Sequence, residues 1–189
     1  EILAFFLNPK QTHGQGNIFL KLFLEKFKLE ELVEKDVNVD TEYYIEENRR
    51  IDIYITFNKT EYIIAIENKI WAKDQKDQLE YYNQHLVKKL EEREYILFYL
   101  NPYGLSPSEA SIDQKAFEDL KKSGNIKIID YQEDIINLVQ EWINICEADR
   151  IRFILKDFKQ YLNQEIKGIN IMKNNSETVA NYIIDDNKV

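Results

Sequence analysis

The stretch IDIYITFNKTEYIIAIENK, residues 51–69, contains the two segments that decide the fold. Its first half alternates between two parities, which is the pattern of a β-strand. The apolar parity comprises Ile51, Ile53, Ile55 and Phe57. The second half, Tyr62–Lys69, is a short apolar strand that ends in Glu67-Asn68-Lys69. The residues NKTE between the two halves predict a turn, so the stretch as a whole predicts a β-hairpin.

The register of this hairpin predicts which charged side chains meet. A loop of four residues, or of two, pairs Phe57 with Tyr62 and places Asp52 opposite Glu67. Opposed residues share a face with Cβ atoms about 4.5–5.5 Å apart, and Lys69 lies one step along the same face. Two carboxylates at this separation repel each other unless a proton or a cation lies between them. Hard oxygen ligands suit Mg²⁺ or Mn²⁺. The alternative is an ordinary charged cluster on a surface hairpin, which the apolar strands around it argue against.

The rest of the chain predicts an α/β domain. Two helices are expected before the hairpin, at Ile2–Leu7 and after Asn17, which serves as an N-cap. Four more are expected after it, at Lys73–Arg93, Ile112–Lys122, Glu133–Ile145 and Arg150–Ile166. Further strands are expected at Val37–Ile45, Tyr95–Leu100 and Ile126–Ile129. The run Tyr95–Leu100 is apolar on both parities, which is typical of an interior strand. We expect it beside Tyr62–Lys69, with the intervening helix as the crossover. The result is a mixed sheet with helices on both sides.

Composition limits the classes of function. The chain has 189 residues and a net charge of −9. This length suits one domain, and the charge argues against a protein that coats nucleic acid non-specifically, although an enzyme can still act on nucleic acid at a local site. The single cysteine, Cys146, and the lack of a membrane-length apolar run predict a cytoplasmic protein with no membrane partner. The opening residues lack the features of a signal peptide and suggest a helix already under way in a trimmed chain.

Two motifs resemble a known superfamily. The pattern RIDIYI…IAIENK is similar to the D-(x)n-E-x-K signature of the PD-(D/E)XK nucleases, with Asp52, Glu67 and Lys69 at the three positions and Ile51 where a proline is usual. The segment QLEYY resembles the Q-x-x-x-Y helix of the exonuclease-like branch, with Gln78 and Tyr82 as its fixed residues. The blocks LAFFLNPKQTHGQGNIFLKLFL, ENKIWAKDQKDQLEYY and LFYLNPYGLSPSE are also similar to an uncharacterised bacterial and phage-linked family within that superfamily.

The resemblance implies a restriction-endonuclease-like fold with an αβββαβ core and a helical C-terminal extension. It implies a nuclease domain over residues 1–167, with residues 168–189 as a tail or the stub of a further region. The implied chemistry is metal-dependent phosphodiester hydrolysis, with Mg²⁺ or Mn²⁺ held by Asp52, Glu67 and the main-chain carbonyl of Asn68. Lys69 would orient or deprotonate the attacking water or steady the charged phosphorane. Gln78 and Tyr82 would position the phosphate or the nearby backbone.

Two further residues are candidates for the same site. Many relatives carry an extra acidic residue on a helix before the sheet, and Glu25 is the candidate for that role here; an ion pair with Lys21 or Lys28 would explain it almost as well. His13 lies in the glycine-containing loop KQTHGQG, where it could approach the metal or a phosphate or could simply anchor the loop. No pair of His or Cys residues suggests zinc.

Several alternatives stay open at the level of sequence. The expected substrate is nucleic acid, with DNA favoured over RNA, although the residues themselves do not separate the two. A catalytically silent module that keeps the fold and binds protein or nucleic acid is the alternative from another class; the complete Asp/Glu/Lys set argues against it. A homodimer or a partner subunit fits the acidic surface, and the phage-linked resemblance implies a role in phage defence.

Overall fold

A mixed five-stranded β-sheet with helices on both faces forms the framework of the protein. The computed structural model describes residues 2–33, 36–45, 49–59, 61–70, 72–89 and 94–166. The strands are β1 (Val37–Tyr44), β2 (Arg50–Phe57), β3 (Tyr62–Asn68), β4 (Tyr95–Asn101) and β5 (Ile126–Asp130). The helices are α1 (Ile2–Leu7), α2 (Ile18–Phe27), α3 (Gln78–Lys89), α4 (Gln114–Ser123), α5 (Ile136–Ile145) and α6 (residues 149–166).

The strand order in the sheet is β1-β2-β3-β4-β5. The first three strands run antiparallel to their neighbours, whereas β3, β4 and β5 are parallel. The hairpin pairs Phe57 with Tyr62, which confirms the predicted register. All seven residues of β4 are buried, and β4 lies between β3 and β5. The predicted interior strand and its parallel neighbour are therefore confirmed, as is the mixed α/β architecture.

The sheet separates two apolar cores. We call the side covered by α1, α2, α5 and α6 the first cluster, and the side covered by α3 and α4 the second cluster. The first cluster is the larger and is rich in aromatic rings; the indole of Trp142 on α5 is fully buried and donates a hydrogen bond to the carbonyl of Phe19 on α2 at 3.0 Å. In the second cluster, Leu79, Tyr82 and Leu86 lie on one stripe of α3. Burial on both faces explains why the central strands carry so few polar residues.

The crossover helix begins later than the sequence predicts. The expected helix begins at Lys73, but α3 begins at Gln78, and the predicted end at Arg93 lies outside the described residues. Residues 72–77 are held by a neighbouring loop instead: Asp77 donates its N–H to the carbonyl of Ala110 at 2.6 Å, and the carboxylate of Asp74 accepts from the N–H of Ser108 at 2.7 Å. These contacts come from residues more than 30 positions away, so local periodicity could not predict them.

Other boundaries differ by small amounts. Asn17 precedes α2 as expected, but its side chain makes no capping hydrogen bond. The helix predicted from Glu133 begins as a π-helical turn, Tyr131–Ile135, that leads into α5. The expected tail, residues 168–189, lies outside the described part of the chain. Within the described ranges, no helix combines the length and the apolar character needed to cross a bilayer.

Candidate active site

The alternation of side chains is interrupted at the same level in β1 and β2. Ile53 packs into the first cluster, whereas Ile51 packs into the second, although both have the same parity. In β1, Glu42 has a left-handed backbone (φ 51°), and the next residue, Tyr43, packs against the second cluster. The flanking pairs Thr41–Ile53 and Tyr43–Ile51 place Glu42 and Asp52 at this interruption. Such irregularities re-aim a side chain and often lie beside functional sites.

Asp52 lies at this interruption, with its carboxylate against the end of β3. Its carboxylate accepts a hydrogen bond from the main-chain N–H of Asn68 on β3 at 2.6 Å. Asp52 lines a cavity of about 260 Å³, together with Glu42, Ile53, Asn68 and the side chains of α1 and α6. Burial raises the pKa of Asp52, the Asn68 N–H opposes that effect, and the negative charge of Glu42 adds to it.

Glu67 faces the second cluster and forms a buried polar network there. One carboxylate oxygen, Oε1, lies 2.7 Å from the ammonium of Lys69 and accepts a hydrogen bond from the amide of Gln78 at 2.8 Å. Gln78 also accepts from Lys69 at 2.6 Å and donates to the hydroxyl of Tyr82 at 2.8 Å. Tyr82 in turn donates to the main-chain carbonyl of Arg50. The i, i+4 spacing of Gln78 and Tyr82 on α3 places both over the end of β3.

The surroundings of Glu67 disfavour its charged form. Glu67 is 3% exposed, and its second carboxylate oxygen, Oε2, is buried with no hydrogen-bond partner in the described structure. The pKa of Glu67 is raised to about 7, chiefly by burial and then by the negative charge of Asp52, while Lys69 acts in the opposite direction. Burial and the charge of Glu67 also raise the pKa of the Tyr82 hydroxyl. Perturbed carboxylates of this kind are concentrated at functional sites.

These properties fit a divalent cation. The unpartnered oxygen of Glu67 is a free hard-oxygen ligand, and a positive charge beside it would oppose the effect of burial on its pKa. Asp52 supplies a second carboxylate near the end of the same strand. Among the described residues, no three His, Cys, Asp or Glu side chains gather into a metal cluster. The groups that could hold a cation here are therefore two carboxylates, a main-chain carbonyl and water, which is the kind of set that Mg²⁺ uses.

The register places Asp52 at the level of Glu67 as predicted, one step beyond the last ladder pair, Ile53–Ile66. Asp52 lines a cavity that Glu67, Gln78 and Tyr82 do not line. Its carboxylate nevertheless accepts the N–H of the residue that follows Glu67, and its charge contributes to the raised pKa of Glu67. The two carboxylates therefore interact at the end of β3, and the expectation that Gln78 and Tyr82 face a common pocket with them stays a prediction.

Glu25 and His13 lie apart from this network. Glu25 is exposed on α2 and pairs with Lys21 at 3.6 Å, which is the ion pair that the sequence offered as an alternative. His13 is 2% exposed; its Nε2–H donates to the carbonyl of Asn8 at 2.9 Å, and its Nδ1 accepts from the N–H of Gln15 at 3.1 Å. Burial lowers the pKa of His13. Both ring nitrogens of the neutral imidazole are thus used, and the ring anchors the loop against Phe5 and Phe19.

Two neighbours of Asp52 were missed from the sequence. Glu42 could have been found by extending the register to β1, because the pairs Thr41–Ile53 and Tyr43–Ile51 bracket Glu42 and Asp52. Tyr131, in the π-helical turn after β5, donates its hydroxyl to the side-chain oxygen of Asn68 at 3.0 Å and lines the same cavity. Burial raises the pKa of Tyr131. No sequence signal could have joined Tyr131 to Asn68, because 63 residues separate them.

Comparison with known proteins agrees with this architecture. A family model described as the PD-(D/E)XK nuclease superfamily matches residues 1–163, which include every strand and the whole candidate site. No curated protein and no solved structure matches the chain significantly. The match covers most of the sequence, and the fold agrees with it: a mixed sheet flanked by helices, with the Asp, Glu and Lys of the signature at the adjoining ends of β2 and β3. The chain belongs to the PD-(D/E)XK nuclease superfamily.

Proposed function

We propose that the protein is a divalent-metal-dependent nuclease that hydrolyses phosphodiester bonds, with DNA as its substrate. The observation that carries this proposal is the environment of Glu67. Its carboxylate is buried, one of its oxygens has no partner in the described structure, and it lies 2.7 Å from the equally buried ammonium of Lys69. Stability alone does not explain such a pair, because an apolar pair of similar volume is often as stable or more so.

Asp52, Glu67 and the main-chain carbonyl of Asn68 are the groups that we propose hold Mg²⁺ or Mn²⁺. A bound divalent cation neutralises charge on a phosphate and makes a coordinated water more acidic. The raised pKa of Glu67 means that protons compete for this carboxylate near neutrality. We therefore propose that metal loading improves as the pH rises above about 7.

Lys69 is the proposed catalytic cation. It is buried next to Glu67, and an ammonium in this position can orient the attacking water or stabilise the charge that develops on the phosphate. Gln78 is proposed as a positioning residue, because its single side-chain amide joins Lys69 to Glu67. Tyr82 fixes the amide of Gln78 by tying it to the backbone of Arg50. In this account Gln78 and Tyr82 act through the carboxylate and the ammonium, rather than on the phosphate that their sequence motif suggested.

A cleavage assay tests the proposal. Labelled single-stranded DNA, duplex DNA and RNA are incubated with the protein in Mg²⁺, Mn²⁺ or EDTA. We expect cleavage of DNA that requires a divalent cation and that falls about 10²–10⁴-fold in Lys69→Ala. The matched control is Lys115→Ala, at an exposed position on α4, which should cut at the wild-type rate. Equal rates in wild type and Lys69→Ala, or no cleavage of any substrate with either metal, would contradict the proposal.

A further inference from the structure

A second cavity, of about 520 Å³, opens beside Lys69. It lies where the parallel strands β3 and β4 end, between the segment after Lys69 and the loop after Asn101. Crevices at the carboxyl ends of parallel strands are the usual ligand positions in open α/β sheets. The volume is within the range of about 300–1,000 Å³ found for sites that take small organic groups. The network around Glu67 does not account for this cavity, because only Lys69 belongs to both.

One wall of the cavity is aromatic and apolar. Its rings and side chains come from Tyr99, Pro102, Tyr103 and Leu105. The hydroxyl of Tyr99 donates to the carboxylate of Asp74 at 2.9 Å, and that carboxylate also accepts the N–H of Ser108, so Asp74 is committed to holding the wall together. Tyr103 is half-buried and packs against the first cluster, whereas Leu105 is 57% exposed. The ring of Tyr103, held against the first cluster and close in sequence to the exposed Leu105, is a surface on which a nucleobase can stack.

The loop that carries this wall is internally braced. The side-chain oxygen of Asn101 accepts the N–H groups of Tyr103 and Leu105, at 3.1 and 3.0 Å, and its amide donates to the carbonyl of Leu105 at 2.8 Å. Asn101 is itself buried. The aromatic wall is therefore preorganised, and little conformational entropy would be lost when a ring stacks against it.

Two lysines also line the cavity. Lys69 is buried, and Lys73 is exposed. Lys73 makes no ion pair or hydrogen bond within the described ranges. A cavity lined by aromatic rings and two ammonium groups matches the chemistry of a nucleotide, which combines a flat base with a phosphate.

We propose that this cavity receives one unpaired nucleotide of the substrate strand, with its base against Tyr103 and its phosphate at Lys73. This inference rests on the proposed function, since it assigns the neighbouring phosphate to Lys69. A base cannot enter a cavity of this kind while it remains stacked and paired in a duplex, and extruding it has an energetic cost that a single strand or a frayed end avoids. The substrate class is therefore single-stranded DNA or an open duplex end.

Binding without metal tests the cavity apart from catalysis. The probes are a fluorescein-labelled ten-nucleotide oligo-dT, the same backbone carrying abasic sites in place of the bases, and a hairpin-closed duplex, each measured by anisotropy in EDTA. We expect oligo-dT to bind about tenfold or more tighter than the abasic strand and the closed duplex, because each base that stacks on an aromatic ring adds affinity of this order. This comparison uses the wild-type chain alone, so it does not depend on the folding of any variant.

Two variants then assign the contacts. Tyr103→Ala should remove most of the difference between oligo-dT and the abasic strand, whereas Tyr103→Phe should keep it. Lys73→Gln should weaken both strands alike and reduce the slope of log affinity against log salt by about 0.7. The control is Phe153→Ala, which removes a 64%-exposed aromatic ring on α6, outside the cavity, and should bind like wild type.

The two proposals can fail separately. Equal binding of oligo-dT and the abasic strand, or an unchanged difference in Tyr103→Ala, overturns the nucleotide cavity even if the protein cuts DNA. Base-dependent binding that Tyr103→Ala removes supports the cavity even if no cleavage is found, and in that case it is the proposed nuclease activity that is wrong.

Discussion

The buried carboxylate of Glu67 makes the stability of the metal-free protein depend on pH in an unusual direction. Most carboxylates in folded proteins are stabilised in their charged form, but the pKa of Glu67 is raised from 4.5 to about 7, chiefly by burial and then by the charge of Asp52. The folded protein therefore binds more protons than the unfolded chain between these two values. The contribution of Glu67 to stability is fully present below about pH 4.5 and is lost as the pH rises through about 7.

The size of this effect follows from the shift. A change in pKa from 4.5 to about 7 corresponds to about 3 kcal/mol of unfolding free energy, most of which is lost by pH 8. Glu67→Gln removes the titrating group. Above about pH 7 that variant also leaves Lys69 without its counter-ion, whereas below about pH 7 Glu67 is neutral in the wild type too. The informative quantity is therefore the difference in pH dependence between the two proteins, not their stability at one pH.

The assay is urea unfolding, followed by tryptophan fluorescence in EDTA at several pH values from 4.5 to 8.5. We expect the unfolding free energy of the wild type to fall by about 3 kcal/mol more than that of Glu67→Gln over this range. Comparing the two proteins cancels the contributions of Asp52, whose pKa is raised by burial, and His13, whose pKa burial lowers. Parallel pH profiles for the two proteins would refute the reasoning, because they would show that Glu67 is charged at little cost in the folded state.

Three further outcomes follow from the same contacts. Lys69→Ala should bind Mn²⁺ as tightly as wild type or slightly more tightly in a calorimetric titration, because a competing positive charge is removed; a clear loss of binding would contradict its role as a catalytic cation. Glu25→Gln should change neither the cleavage rate nor, by more than about 0.5 kcal/mol, the unfolding free energy, because its pair with Lys21 is exposed; a large loss of cleavage would restore Glu25 to the active site. His13→Ala should lower the unfolding free energy by about 2–3 kcal/mol, since it removes a buried ring with two hydrogen bonds. It should leave kcat unchanged under conditions where the variant is folded. A fall in kcat without a fall in stability would show a catalytic role.

The interior position of β4 could be predicted from the sequence because burial leaves a direct mark on composition. The run Tyr95–Leu100 is apolar on both parities, and such a strand must be covered on both faces. The register of the β2–β3 hairpin could be predicted because the loop is short and the parity of its strands is clear. The acidic and basic residues of the signature could be placed at the ends of β2 and β3 for the same reason.

The irregularity beside Asp52 could not be predicted in this way. Counting by twos assumes a regular strand, but Glu42 has a left-handed backbone, and Ile51 and Ile53 pack into different clusters. The same kind of limit applies to α3, which follows a segment held to the loop around Ser108: the carboxylate of Asp74 accepts the N–H of Ser108, and Asp77 donates its N–H to Ala110. The role of Gln78 depends on a network that joins four side chains from two elements. These features are produced by tertiary contacts, which periodicity does not record.

The central claim is that Asp52 and Glu67 together hold the divalent cation that the chemistry needs. Isothermal titration of Mn²⁺ at pH 8 into wild type, Asp52→Asn and Glu67→Gln tests it most directly, with Asp40→Asn, an exposed carboxylate on β1, as the matched control. The account predicts one site in the wild type and in the control, with affinity at least about tenfold weaker in each of the other two variants, since each loses a charged ligand. Wild-type affinity for Mn²⁺ in either Asp52→Asn or Glu67→Gln would contradict it.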